Sequence, residues 1–161
     1  MELHKAQELA IHLMGKHKLD DRGWYFDWDR GVRRFGCTHY GTKRITLSRH
    51  LTELNSEKEV KQVILHEIAH ALAGFEAAHG PVWASTVRQI GGSARRTHSA
   101  ETPPSKLIAT CRKCGRHSFR ERQPNRGVHV ACVDCCRKYN RGRYSVDYAL
   151  NYFPNTQGVK A

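Results

Sequence analysis

Residues 66–70 of the chain read His-Glu-Ile-Ala-His, so two histidines are separated by one helical turn. In a helix, His66 and His70 project from nearly the same face, and both imidazoles can reach one metal ion. Glu67 lies about 60° further round the helix. From there its carboxylate can take a proton from a water molecule at that ion. The spacing therefore predicts a metal-dependent hydrolase with His66 and His70 as ligands and Glu67 as general base.

A catalytic zinc site needs a third protein ligand and one open position. The metzincin pattern would place that ligand at Glu76 and a glycine at Ala73, so the chain does not follow it. Glu76 and Glu101 remain possible carboxylate ligands, without a supporting motif. His79 is the better candidate, because Gly74 can end the helix and the next loop can turn back to the ion.

A second metal site is predicted from cysteine spacing. Two Cys-X-X-Cys pairs are separated by seventeen residues and comprise Cys111, Cys114, Cys132 and Cys135. This spacing is typical of a zinc ribbon, in which two hairpin knuckles present four thiolates to one structural ion. Cys136 is an alternative to Cys135, but the two-residue spacing favours Cys135. The segment has few large apolar residues, so metal binding is expected to supply its folding free energy.

Positive charge is concentrated in one part of the sequence. The formal net charge is +12, and residues 88–143 carry 14 Lys and Arg against 3 Asp and Glu. Basic and aromatic side chains alternate there, which favours binding to the backbone of DNA, single-stranded or distorted, over base-specific readout. The alternative is a solvated basic face without a partner. The residues expected to contact DNA are Arg112, Lys113, Arg116, Arg120, Arg122, Arg137, Lys138, Arg141 and Arg143.

Length and composition restrict the class of protein. A chain of 161 residues with a mean hydropathy of −0.66 allows one compact domain with a small appendage. No apolar run approaches the roughly 20 residues of a membrane span, and the N-terminal residues lack a signal-peptide layout. We therefore expect a monomer of the cytoplasm, bacterial or viral-host, or of the nucleus, neither secreted nor membrane-bound. In a reducing compartment, cysteines favour metal ligation over disulfides.

Helices and strands that could position these groups follow from the hydrophobic periodicity. Ser56 and Glu59 form a capping box that opens the helix carrying the two histidines, and Gly74 ends it. Cys37 is expected to be a small, buried strand residue. The other predicted helices cover residues 2–14 and 81–90, and the predicted strands cover residues 24–28, 32–37 and 42–47. Short connections between these strands favour an antiparallel meander.

The expected fold class is α+β. It consists of a small three-stranded antiparallel sheet with a central His-Glu-X-X-His helix and flanking helices, followed by a C-terminal four-cysteine zinc ribbon. The predicted domains are a metalloprotease domain at 1–98, a linker at 99–106 and a basic ribbon domain at 107–161.

The motifs together resemble the SprT-like family, which includes the Spartan proteases. The resemblance rests on residues 66–70, on His79-Gly80-Pro81 followed by Trp83, on Arg34-Phe35-Gly36-Cys37, and on the cysteine-rich tail. It implies a catalytic zinc at His66, His70 and His79, with Glu67 as general base and peptide-bond hydrolysis as the reaction. It also implies action on proteins attached to DNA, as in the repair of DNA–protein crosslinks.

By residue type, Tyr40, His39 and His50 are candidates for a second oxyanion donor. The strand at 42–47 is expected to offer an exposed edge to an extended substrate.

A competing hypothesis is a non-catalytic nucleic-acid-binding protein with two structural zinc sites, the first closed by a fourth ligand such as Glu76. Another keeps the hydrolytic zinc but replaces the peptide by a different amide or an ester.

Overall fold

The computed structural model describes residues 1–95 and 100–160. The chain divides into two compact units, Met1–Thr102 and Pro103–Ala161. Each unit contains helices and a three-stranded sheet, so the predicted α+β class is confirmed. The predicted domain end at residue 98 and the first residue of the predicted linker, Ser99, lie outside the described residues. None of the described helices is both long and apolar enough to cross a bilayer.

The first unit begins with a helix and ends with the helix that follows the candidate metal ligands. In chain order its elements are α1 (Leu3–Lys16), β1 (Tyr25–Asp29), β2 (Gly36–His39), β3 (Arg44–Ser48), α2 (Arg49–Leu54), α3 (Glu57–Ala73), a 3₁₀ turn (Phe75–Ala77) and α4 (Pro81–Gln89). The short helix α2 is not predicted from the sequence. Its signal is Ser48, whose Oγ accepts a hydrogen bond from the Leu51 amide at 3.1 Å and caps the helix.

The sheet of the first unit is mixed, so the predicted antiparallel meander is wrong. Its strand order is β1-β3-β2, with β1 parallel and β2 antiparallel to β3. β3 takes the central place because it is the most deeply buried strand, with Ile45 and Leu47 fully buried. Both edges of β3 are paired, so the predicted substrate-binding edge at 42–47 is also wrong. Among the described residues, the edge strand that contacts α3 is β2.

Helix α3 is the centre of the first unit. Val60, Ile64 and Ile68 pack in one apolar cluster with α1 and β3, while Ala69 packs with Trp83 and Val87 of α4. α3 is therefore covered on two sides, which explains why its sequence is apolar nearly all round. Burying so much of the helix fixes the positions of the polar residues it carries.

The second unit is built around an antiparallel sheet with strand order β5-β4-β6. Its elements are β4 (Leu107–Cys111), β5 (His117–Arg120), α5 (Val133–Asn140), a 3₁₀ turn (Val146–Tyr148) and β6 (Leu150–Pro154). The first cysteine pair lies at the β4–β5 hairpin, as expected. The second pair lies at the start of α5, so the prediction of a second hairpin knuckle is wrong. Asp134 in the first turn and Lys138 in the last complement the dipole of this helix.

Candidate active site

Helix α3 carries two candidate ligands and the candidate base. The helix begins at the predicted cap, where the Glu59 amide donates to Ser56 Oγ at 3.3 Å, and its C-cap is Gly74 with φ of 86°. His66 and Glu67 are buried, each with 7% of its surface exposed, and His70 is half-buried. The helix thus places three ionisable side chains in a largely apolar setting.

The third histidine arrives through a tight turn after α3. Ala78 has φ of 41° and ψ of −124°, close to the first central position of a type II′ turn, where glycine is preferred. The Gly80 amide donates to the Ala77 carbonyl at 2.8 Å and closes the turn. This turn directs His79 back to α3, as the sequence predicts from the helix end at Gly74.

The three imidazoles converge on one point. The Nε2 atom of His79 lies 3.1 Å from the Nε2 atom of His66 and 3.1 Å from that of His70. The Nε2 atoms of His66 and His70 are 3.3 Å apart. Zinc–nitrogen bonds of about 2.0–2.1 Å in a tetrahedron place ligand nitrogens roughly 3.3–3.4 Å apart. Burial, with His79 nearby, lowers the pKa of His70 to about 4, so its ring is neutral, as a ligand must be. The donor set fits a zinc ion.

Neither carboxylate considered as an alternative ligand joins this group. Within residues 1–95 and 100–160, the cluster of close donor atoms consists of the three histidines. Glu76 is exposed. The backbone of Glu101 is held by the side chain of Asn55, through bonds of 2.7 and 2.9 Å. In the described part of the chain, the donor set is therefore three histidines without a carboxylate.

Glu67 is held by strand β2. Thr38 Oγ1 lies 2.7 Å from Glu67 Oε2 and 2.9 Å from the Glu67 carbonyl oxygen. Burial raises the pKa of Glu67 to about 7, against the opposing effects of the Thr38 hydrogen bond and the Arg34 charge. Gly36 permits this packing, because a Cβ there would come within 2.8 Å of Glu67 Cγ and Oε1. Sequence reasoning missed both contacts, although a glycine within a strand signals close approach by another group.

A cleft of about 500 Å³ opens beside these groups. It is lined by the three histidines and Glu67, and by β2 and the loop before it. Cys37 lines the cleft and is half-buried, so it is more exposed than expected; burial raises the pKa of its thiol. Of the three candidate oxyanion donors, Tyr40 lines the cleft and donates to the His70 carbonyl at 3.1 Å. His39 contacts Thr46 instead, and His50 is exposed outside the cleft.

The second unit holds a group of four thiols. The Sγ atoms of Cys111 and Cys135 are 3.9 Å apart, as are those of Cys114 and Cys132. Zinc–sulfur bonds of about 2.3 Å in a tetrahedron place sulfurs roughly 3.8 Å apart, so this set could also hold zinc. Cys136 is buried but is not part of the group, in agreement with the choice of Cys135.

All nine basic residues predicted to contact DNA are exposed. Arg116 forms an ion pair with Asp134, and Arg112 Nε donates to Asn151 at 3.0 Å. Lys113 and Lys138 place their ammonium groups 5.9 and 5.1 Å from the ring centre of Tyr139. Tyr139 itself is 52% exposed, so an aromatic face with two cations is accessible on this unit.

The first unit is therefore an α+β domain in which a His-Glu-X-X-His helix and a later histidine form a group that could hold a metal ion. The model of the SprT-like family matches residues 6–104, which is more than half of the chain, and the chain belongs to that family. It is also 34% identical over 93 residues to Protein SprT of Escherichia coli O157:H7, an alignment covering 50% of this chain and 56% of that protein. The chain thus spans little more than half the length of this curated relative.

Proposed function

We propose that the chain is a zinc-dependent peptidase that cleaves proteins bound or crosslinked to DNA, using one catalytic and one structural zinc ion. The observation that carries the proposal is the convergence of three imidazole nitrogens, 3.1–3.3 Å apart, on a cleft that also contains the buried carboxyl group of Glu67. Membership of the SprT-like family supports the same chemistry.

The protein residues have distinct roles in the proposed reaction. His66, His70 and His79 would hold zinc, which when bound polarises the scissile carbonyl group and lowers the pKa of water. Glu67 accepts a proton from the attacking water and returns it to the nitrogen of the departing amine, so it ends the cycle as it began. Glu67 is buried, so the walls of the cleft shield its carboxyl group from bulk solvent.

The unpaired edge of β2 is the proposed seat of the substrate backbone. β2 pairs with β3 on one side, and its residues from Gly36 to Thr38 line the cleft beside Glu67. An extended peptide could add to this edge through main-chain hydrogen bonds. This arrangement would bring a peptide bond of the substrate to the histidines through main-chain contacts, with little selectivity for the side chains of the substrate.

The second unit is proposed to bind the DNA to which the substrate is attached. Support comes from the exposed basic residues and from the half-exposed ring of Tyr139. We propose that Lys113 and Lys138, which lie over this ring in the free protein, turn to phosphates when an unpaired base stacks on it. Because stacking and phosphate contacts do not depend on base identity, we propose that DNA binding is not sequence-specific. Because stacking on Tyr139 requires an unpaired base, we also propose a preference for single-stranded or distorted DNA.

A non-catalytic, doubly structural zinc protein is the competing function. It would need a fourth protein ligand at the first site, and the described residues supply three histidines there, with Glu76 exposed. An open site is the arrangement of catalytic zinc. The observed donor set therefore favours the hydrolase.

Glu67→Gln is the variant that tests the proposal. It keeps the size of the side chain but removes its basicity, so we expect zinc content to stay at the wild-type level and cleavage of a DNA-bound protein to fall at least about 100-fold. Glu57→Gln, an exposed change on the same helix, is the control and should retain activity. Wild-type activity in Glu67→Gln would exclude Glu67 as the base.

A further inference from the structure

Strand β2 shapes the surroundings of Glu67 from two positions on one face. Gly36 and Thr38 are two residues apart and project to the same side of the strand. Gly36 leaves the space that the Glu67 side chain fills. The Thr38 hydroxyl then contacts both the carboxyl group, at 2.7 Å, and the backbone oxygen of the same glutamate, at 2.9 Å.

We propose that Thr38 is a positioning residue that fixes the carboxyl group of Glu67 for proton transfer, an inference that rests on the function proposed above. A glutamate side chain turns about several single bonds, and a base that rotates away from the attacking water loses much of its effect. Thr38 limits this rotation because its hydroxyl lies within hydrogen-bond distance of the Glu67 carboxyl group and donates to it while Glu67 is ionised. The strand that carries Thr38 is itself fixed by pairing to β3.

The hydroxyl group suits a partner that gains and loses a proton. A hydroxyl both donates and accepts hydrogen bonds. It can donate to the Glu67 carboxylate before the proton is taken from water. Once Glu67 carries that proton, the same oxygen can accept from it while donating to the Glu67 carbonyl. The Thr38 proton never leaves its oxygen, and the glutamate keeps a bonding partner at both stages.

Three variants separate this role from general stabilisation of the sheet. Thr38→Val keeps the branched shape and removes the hydroxyl, while Thr38→Ser keeps the hydroxyl. Thr46→Val is the matched control: Thr46 faces Cys37 across the β2–β3 ladder, and its hydroxyl contacts Asp29 Oδ2 at 3.0 Å rather than Glu67. Each variant is purified with zinc, and kcat, KM and zinc content are measured on one peptide substrate.

We expect Thr38→Val to lower kcat about tenfold or more, with KM and zinc content within about twofold of the wild type. Thr38→Ser should recover most of the loss, and Thr46→Val should keep kcat within about twofold even where its Tm falls. The inference is overturned if Thr38→Val keeps the wild-type kcat, or if Thr46→Val loses as much.

A second measurement needs no activity. In zinc-free protein, Thr38→Val should lower Tm clearly in the wild-type background and less in a Glu67→Ala background, because there the carboxyl partner is already absent and only the bond to the backbone oxygen of residue 67 is left to lose. Equal Tm changes in the two backgrounds would show that Thr38 does not hold Glu67. If the wild-type chain cleaves no substrate, the proposed function fails, whereas this comparison still decides whether the contact exists.

Discussion

The indole ring of Trp83 stacks on the imidazole of His70, with ring centroids 5.4 Å apart and ring planes 27° apart. The same indole lies 4.8 Å from the ring of His66 and 4.7 Å from that of His79. Trp83 is only 1% exposed, so one buried indole ring packs against all three histidines, stacked on His70 and edge-on to the other two. This packing restricts the imidazole rotamers before a metal ion binds, which reduces the conformational entropy lost on metal binding.

Replacing Trp83 should therefore weaken metal binding. We expect Trp83→Leu, which keeps an apolar side chain but removes the flat surface, to lower zinc affinity at the histidine site about tenfold, and Trp83→Phe to lower it less. Competition with a chromophoric chelator measures the affinity. Val87→Ala is the control, because Val87 is buried in the same cluster of α4. An equal loss of affinity in that control would assign the effect to general destabilisation.

The turn before His79 stores backbone strain at Ala78. A non-glycine residue with φ of 41° costs of order 1–3 kcal/mol, and glycine would relieve it at the expense of about 0.5–1 kcal/mol of added chain entropy in the unfolded state. Ala78→Gly should therefore raise the free energy of unfolding by about 1 kcal/mol, as measured by urea denaturation. Ala77→Gly removes the same methyl group where φ is not positive and should destabilise the protein. A lower stability for Ala78→Gly would contradict the strain argument.

Removal of metal should affect the two units unequally. The buried apolar cluster of the second unit consists of Cys111, Cys132 and Cys135, so without an ion we expect residues 103–160 to unfold. The first unit has a large apolar core and should stay folded. Amide NMR spectra before and after chelation would show this difference.

A serine substitution gives the same test at one residue. Cys114→Ser should lower the zinc content from two ions per chain to one, whereas Cys136→Ser, which changes a neighbouring buried cysteine outside the donor group, should leave two. Loss of zinc from both variants would contradict the assignment of Cys135 as the fourth ligand.

DNA binding should depend on the cations around Tyr139. Removing two phosphate contacts from a single-strand complex reduces the slope of log affinity against log salt by about 1.4. We expect that change for the double variant Lys113→Ala/Lys138→Ala, measured by fluorescence anisotropy with a labelled oligonucleotide. The control is Lys58→Ala/Lys61→Ala, two exposed lysines of α3. A salt slope equal to that of the wild type would exclude these two lysines from the interface.

The two groups of candidate ligands were predictable because short spacings bring most of their members together. His66 and His70 are one helical turn apart in any helix, and a Cys-X-X-Cys pair brings two thiols together locally. His79 could be selected because Gly74 ends the helix and allows the chain to reverse. In each case the sequence specifies the geometry over fewer than about ten residues.

The remaining features depend on contacts between distant segments. The central place of β3 follows from burial on both faces and pairing at both edges, and strand periodicity alone does not determine strand order. The contact of Thr38 with Glu67 joins residues 29 positions apart. Trp83 was recognisable as a packing residue of α4, but its position under three histidines results from the packing of α4 on α3.

Anomalous diffraction at the zinc edge, from crystals of the zinc-loaded protein, tests the central claim most directly. We predict one peak roughly 2.0–2.1 Å from the Nε2 atoms of His66, His70 and His79, with a solvent molecule as its fourth ligand, and a second peak among the four cysteines. A first site without zinc, or one closed by a protein side chain such as Glu76, would contradict the hydrolase and leave a protein whose metals are structural.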